Sequence, residues 1–236
     1  MANFILVTGS TGAGKTTSIR TLNPKQTLIL RSIKRTLPFR EAKTFKIVDT
    51  PTYKDVIDKI DKANSIKGCK NIVITDGTYI MRNEFFDKIN TPGFDKFSKL
   101  AVHIREILMK CQECREDLNV IMEWHTEPVQ SDGNIMTYKA ATVGKLLDSQ
   151  FNIYENVDII LYAQPRIEGT RVEYGFYTNA STANGVLIPA KTPIGMFEEN
   201  FIQNDLNIVV NKIKEYYGGE QPAEDKAPGS GGPTAE

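Results

Sequence analysis

Apolar residues along the chain follow two rhythms. Short unbroken runs, bounded by glycine, proline or polar residues, suit strands buried on both faces. Phe4-Ile5-Leu6-Val7-Thr8 is the first of these. Thr27-Leu28-Ile29-Leu30, Phe45-Lys46-Ile47-Val48, Asn71-Ile72-Val73-Ile74-Thr75-Asp76 and Asn119-Val120-Ile121-Met122-Glu123-Trp124-His125 follow it. Between the runs the pattern turns helical. Lys15 to Leu22 predicts a helix stopped by Asn23-Pro24, and Tyr53 to Asn64 a second. Phe97, Leu100, Ala101, Ile104, Leu108 and Cys111 recur at the spacing of a long amphipathic helix. Strands alternating with helices predict an α/β fold with a mainly parallel, doubly wound sheet flanked by helices.

The rhythm changes later in the chain. Asp158 to Tyr162 and Arg171 to Thr178, on either side of Glu168-Gly169-Thr170, predict a late antiparallel hairpin. Gly185 to Pro189 holds another short strand. Leu206, Val209, Val210, Ile213 and Tyr217 form the stripe of a final helix, with Asn204 the expected cap and Gly218 the stop. From Gly219 onward the chain has glycine, proline, serine and acids but no large apolar residue. Such a segment cannot offset its ordering entropy. The expected organisation is one domain over residues 1–218 and a disordered tail over 219–236, itself a candidate binding segment for a protein partner.

Composition narrows the classes. With 40% hydrophobic and 25% charged residues and a formal net charge of zero, the 236-residue chain fits a soluble globular protein without an overall field for nucleic acid or acidic lipid. No apolar run has the length of a membrane span, and Met1-Ala2-Asn3-Phe4 enters a strand without a leader-like block. The expectation is a cytoplasmic protein with no membrane partner. Cys69, Cys111 and Cys114 are an odd set, which argues against a disulfide framework. Cys111-Gln112-Glu113-Cys114 lacks the second ligand pair that structural zinc requires.

The chemistry begins directly after the first strand. Gly9-Ser10-Thr11-Gly12-Ala13-Gly14-Lys15-Thr16 fits G-x-x-x-x-G-K-[ST] between a predicted strand and a predicted helix, the context that this phosphate-loop pattern needs. Glycines let successive backbone N–H groups converge on phosphate oxygens. Lys15 is expected on the β- and γ-phosphates of ATP or another NTP, Thr16 on Mg²⁺, and Thr17 beside them. A second metal partner should be an acid ending a buried strand, and Asp76 occupies such a place.

Several stretches together carry a resemblance. They are "GSTGAGKTTSIRTLNP", "TLPFR", "NIVITDGTYIMRNEFF", "DKFSKLAVHI", "WHTEP", "TVGKLLD", "AKTPIGMFE" and "NDLNIVV…YY". Their order resembles a RecA-type core, and more closely the small phage-encoded RecA-like ATPases of single-strand-annealing recombination, over roughly residues 4 to 217. For a phage protein, the expected compartment is the host cytoplasm. The resemblance implies that a polar residue ending the strand after Asp76 senses the γ-phosphate, and His125 stands there. His103, beside the apolar stripe of the long helix, is expected to be structural.

Relatives often carry a glutamate at the end of the second core strand, where this chain has Arg31-Ser32. Asp76 is followed by Gly77 rather than by the glutamate of many other ATPases. Glu127, Glu123 and Asp49 are the remaining acids, and Glu127, which follows the sensor strand within the "HTE" stretch, is the expected catalytic base. Lys145 and Lys191 are the candidates for a cation supplied in trans, which implies a homo-oligomer.

Arg31, Lys34, Arg35 and Arg40, with Phe39 among them, form an acid-free run suited to a phosphate backbone and a stacked base. Lys139 lies in the segment Glu127 to Ala141, where RecA-type proteins have a DNA-contacting loop. Without a base-specific motif, the expected partner is single-stranded DNA bound without sequence preference. The expected activity is therefore Mg²⁺-dependent NTP hydrolysis in phage recombination or replication. Two alternatives stay open: a small-molecule or nucleotide kinase, and a non-hydrolysing, nucleotide-gated assembly protein. ATP against GTP is not decided by the sequence.

Overall fold

In the computed structural model, residues 2–93, 95–144 and 152–218 are described. Eight strands form the main sheet in the order β11-β8-β7-β1-β5-β4-β2-β3. Its parallel part comprises β1 (Asn3–Gly9), β2 (Thr27–Arg31), β3 (Lys46–Asp49), β4 (Asn71–Thr75), the first half of β5 (Asn119–Ser131) and the start of β7 (Ile159–Glu168). β8 (Arg171–Tyr177) and β11 (Phe201–Gln203) extend it antiparallel. The predicted α/β class and late hairpin are both present. Beyond Thr126, β5 leaves the sheet and pairs antiparallel with β6 (Asn134–Ala140). The short strands β9 (Ser181–Ala183) and β10 (Val186–Ile188) pack onto β6.

Alternation along β1 explains the layering. Phe4 and Leu6 face a core supplied by helices α1 (Tyr53–Asn64), α2 (Thr78–Asp87) and α3 (Asp95–Gln112). Ile5 and Val7 face the opposite core, closed by Ile19, Leu22 and the stripe Leu206, Val209, Val210 and Ile213 of α4 (Leu206–Gly218). A strand buried on both sides reads as a continuous apolar run, so the sequence announces it. The boundaries of α1 agree with the expectation, set by a capping box in which Thr52 accepts from the Asp55 amide and Asp55 accepts from the Thr52 amide.

Three local expectations need revision, and helix α2 is an element that the sequence pattern does not predict. After the phosphate loop, Thr16–Thr21 is a 3₁₀ turn rather than a longer α-helix. Hydroxyls compete for its carbonyls: Ser18 Oγ donates to Lys15 O at 2.5 Å and Thr21 Oγ1 to Ser18 O at 3.1 Å. Helix α2 carries no clear apolar stripe in the sequence and buries Thr78, Ile80 and Met81 near its start. Asn204 is not the cap of α4; Asp205 Oδ1 accepts from the amides of Asn207 and Ile208 at 2.8 and 3.1 Å. β5 is nearly twice as long as its apolar run, because its second half is stabilised by β6 instead of by burial. The predicted tail and Lys145 lie outside the described residues. No described helix is long and apolar enough to cross a membrane.

Candidate nucleotide site

The site lies where the carboxyl ends of β1 and β4 meet the end of the parallel half of β5, at His125. With β5 lying between β1 and β4, the loop after β1 and the turn after β4 flank a single strand end. The loop's shape demands glycine. Gly9 sits at φ 140°, and a Cβ there would stand 2.4 Å from Ala163 O. Gly14 has φ 92°, and a Cβ would press on Asn204 and the Tyr174 ring at 3.1 Å. The loop therefore lies tightly between the β7–β8 hairpin and the start of α4.

Lys15 is 7% exposed. Its ammonium donates to Gly9 O at 2.7 Å and Ser10 O at 2.8 Å, folded back over its own loop. Burial depresses its pKa, while the charges of Glu123 and Asp76 oppose that shift. Thr16 Oγ1 donates to Glu123 Oε2 at 2.8 Å. Glu123 is 1% exposed, opposite Val7 of β1 in register. Burial pushes its carboxyl up to about 7, against the pull of Thr16 and Lys15. Its other oxygen, Oε1, has no hydrogen-bond partner among the described residues.

Asp76 turns the chain out of β4 at φ 54°, a left-handed conformation that Asp tolerates better than most residues. The Gly77 amide donates to Glu123 O at 2.8 Å, and the Tyr79 amide to Asp76 O at 2.8 Å, which starts α2. Asp76 Oδ1 lies 3.4 Å from His125 Nε2. His125 holds the Asp76 carboxyl below the usual carboxylate range, helped by Arg35 and Lys15. The His125 amide donates to Thr78 Oγ1 at 2.9 Å, and its ring stands edge-on to Tyr79.

These groups open on a cleft of about 530 Å³. Residues Thr11 to Thr17 of the loop form its floor, with Asp76 and His125 along one side. A second wall is the segment after β2, which brings Arg31, Arg35 and Leu37 to the cleft. Arg31 is fixed by Asp49, with Nε 2.7 Å from Oδ1, and its Nη1 donates to Arg35 O at 2.5 Å. The Arg35 guanidinium lies 5.3 Å from the Tyr79 ring centre. The third wall is Arg20, Tyr174 and Asn204. Arg20 Nη1 reaches Thr17 O and Asn204 Oδ1 at 2.8 and 3.2 Å, and Asn204 Nδ2 reaches Gly14 O at 3.2 Å.

Of the residues singled out from the sequence, the phosphate loop, Asp76 and His125 converge here. Arg31 and Arg35, read as candidates for DNA contact, line the same cleft, whereas Lys34 and Arg40 are exposed and do not. Glu127 is not among the residues that line it. It stands opposite Lys139 on the β5–β6 hairpin, 3.1 Å from that ammonium and 40% exposed. Lys191 is exposed, pairs with Ile160 through its backbone and donates from Nζ to Tyr154 O at 3.3 Å. His103 stacks on Tyr53 at 3.7 Å and reaches Glu84 at 2.7 Å, in a helix-to-helix contact as expected.

Sequence reasoning missed the clamp of Glu123 on Thr16 and the roles of Arg20, Tyr174 and Asn204. The first had a signal: an acid inside the apolar run Val120 to Trp124 must find a buried partner. Arg20 reaches Thr17 from the turn that follows the loop, whereas Tyr174 and Asn204 come to the loop only through strand pairing distant in sequence.

No curated protein matches the chain. Residues 1–193 match the family model described as an AAA domain, a span that contains the loop, Asp76, Glu123 and His125. The chain thus belongs to the AAA domain family, a group of nucleotide-binding P-loop ATPases.

Proposed function

We propose that the protein is a Mg²⁺-dependent, RecA-like ATPase that binds single-stranded DNA without sequence preference, as a homo-oligomer, in phage recombination or replication. The observation that carries the ATPase reading is the convergence of Lys15, Thr16, Asp76 and His125 on one cleft. A triphosphate suits the donors there. Glycine-shaped backbone amides, the Lys15 ammonium and the three guanidiniums of Arg20, Arg31 and Arg35 offer positive charge to an anion that a neutral protein would otherwise not attract. Thr16 and Asp76 are oxygen donors of the kind that hold Mg²⁺, whose contribution would be to neutralise phosphate charge.

Nucleotide entry would draw the Lys15 ammonium away from Gly9 O and Ser10 O and onto phosphate oxygens, replacing neutral acceptors by charged ones. His125, bonded to Asp76 and facing the cleft, is placed to register a terminal phosphate. Asp76 is the carboxylate that lines the cleft among the described residues, and it is engaged by His125. Among the described residues, no other acid lines the cleft to activate water, which favours slow turnover. Lys145 and Lys191 remain the candidates for a cation given by a neighbouring protomer.

The DNA part of the proposal rests on the resemblance. The β5–β6 hairpin supports it, carrying Lys139 and the exposed Ile135 and Met136 away from the sheet. The test is turnover of ATP and GTP with and without single-stranded DNA across a salt series. Stimulation by DNA that fades with salt supports the reading. Phosphate transfer to a nucleoside or nucleotide without DNA favours a kinase, and tight binding without turnover under any condition favours the nucleotide-gated assembly protein.

A further inference from the structure

Glu123 is a buried acid for which the nucleotide reading has given no task. It projects from the strand adjacent to β1, is 1% exposed, and spends one oxygen on Thr16 at 2.8 Å. Its other oxygen lacks a partner among the described residues. Its carbonyl accepts from Gly77, the residue after Asp76. Glu123 thus contacts both arms of the cation site, by side chain to Thr16 and by backbone to the turn bearing Asp76. Asp76 itself turns to His125.

We propose that Glu123 is the positioning residue of the cation site. A hydroxyl has one proton and two lone pairs. With the Thr16 proton directed at Glu123 in a hydrogen bond, the face the hydroxyl offers the cleft is an acceptor, which is what a divalent cation needs. A carboxylate behind the ligand also raises its basicity, and outer partners of this kind are worth about 10- to 100-fold in metal affinity. The backbone bond to Gly77 keeps Asp76 in register with Thr16. The inference rests on the Mg²⁺ reading of the preceding subsection and assigns a residue that the phosphate-loop motif does not include.

The test uses the full chain with Glu123→Gln and Glu123→Ala. Binding of a fluorescent, non-hydrolysable ATP analogue is measured across a Mg²⁺ titration and separately in EDTA, with a thermal melt of each variant. Glu123→Ala is expected to raise the half-saturating Mg²⁺ concentration about 10-fold or more, and Glu123→Gln, which keeps an acceptor oxygen, by less. Affinity in EDTA should stay within about twofold, since phosphates are held by Lys15 and the loop. A role confined to the fold would lower both affinities together. Should the alanine variant fail to melt cooperatively, the glutamine variant decides. Unchanged Mg²⁺ dependence in the folded variants overturns the proposal while leaving the cation site in place. A wild-type protein whose affinity ignores Mg²⁺ overturns that site as well.

Discussion

Strand β5 runs through two environments. Its first half, Asn119 to His125, lies between β1 and β4 in the middle of a parallel sheet; its second half, Thr126 to Ser131, projects as one arm of a hairpin. Glu123 and Glu127 stand one on each side of that divide. The first is 1% exposed and holds the phosphate-loop threonine. The second has a side chain 40% exposed and pairs with a lysine across a two-stranded ribbon. Alternation places both on the same face of an ideal strand. What separates them is where the strand loses its neighbours, so the same side chain becomes part of a binding site or part of a solvated rung.

The comparison breaks most sharply if the buried half can lose a cation without consequence. Lys15→Ala is expected to weaken ATP binding about 100-fold, on the order of 3 kcal/mol, because it removes charge-assisted contacts made inside the cleft. The nucleotide-free variant should melt no lower than wild type, since burial disfavours the ammonium that is removed. Calorimetric titration with ATP and Mg²⁺ reads the first, and thermal unfolding the second. Retained affinity would detach the loop from nucleotide binding.

A pH series sharpens the same contrast. Burial raises the Glu123 carboxyl to about 7. Between the ordinary carboxylate range and that value, the folded protein keeps a proton that the unfolded chain has released. Stability of the nucleotide-free protein should therefore fall as pH rises through this window and level off above it, by on the order of 2 kcal/mol. Lys15, shifted downward, acts in the opposite sense at higher pH, where stability should recover towards the ordinary lysine range. Denaturant melts at pH 5 and 7.5 test the lower limb. Glu123→Gln should flatten it, and parallel curves for wild type and variant would mean that Glu123 is not the group responsible.

How far the sequence carries depends on which force places each residue. The phosphate loop and Asp76 were legible because local rules fix them: a strand buried on both faces, a glycine-shaped turn, and an acid at a strand end. The boundaries of α1 followed from a cap. Glu123 was visible as an acid on the right strand, but its choice over Glu127 needed the point at which β5 departs from β4, a property of chain pairing. Asn204 illustrates a second limit. A cap and a loop clamp call for the same kind of polar side chain, and Asp205 takes the cap while Asn204 bridges Gly14 and Arg20. The basic run after β2 is a third case. Its composition suggested one surface, yet Arg31 and Arg35 reach the cleft while Lys34 and Arg40 do not.

That split predicts an effect of intermediate size. Arg35→Ala should weaken ATP affinity about tenfold, the scale of a single charge-assisted contact at a partly open site, with Lys34→Ala within about twofold. Both variants remove one positive charge from the same loop, so a general electrostatic effect would shift them equally. Equal losses would show that the loop acts as a charge cloud and not through the guanidinium beside Tyr79.

The smallest effect is expected at the exposed end of the comparison. Glu127→Gln keeps the shape of the side chain and removes its charge, leaving a partly exposed pair with Lys139 worth less than about 1 kcal/mol. Turnover with saturating ATP and Mg²⁺ should stay within about twofold of wild type, because Glu127 does not line the cleft and cannot orient a water there without the hairpin moving. The result is informative only when the measurement is repeated with single-stranded DNA, the condition under which a hairpin contacting DNA would shift. A loss of turnover confined to the DNA-bound state would mean that the projecting half of β5 closes over the nucleotide and delivers Glu127 as the base. In that event the two halves of the strand would be partners in one site, and their difference in burial would describe only the resting protein.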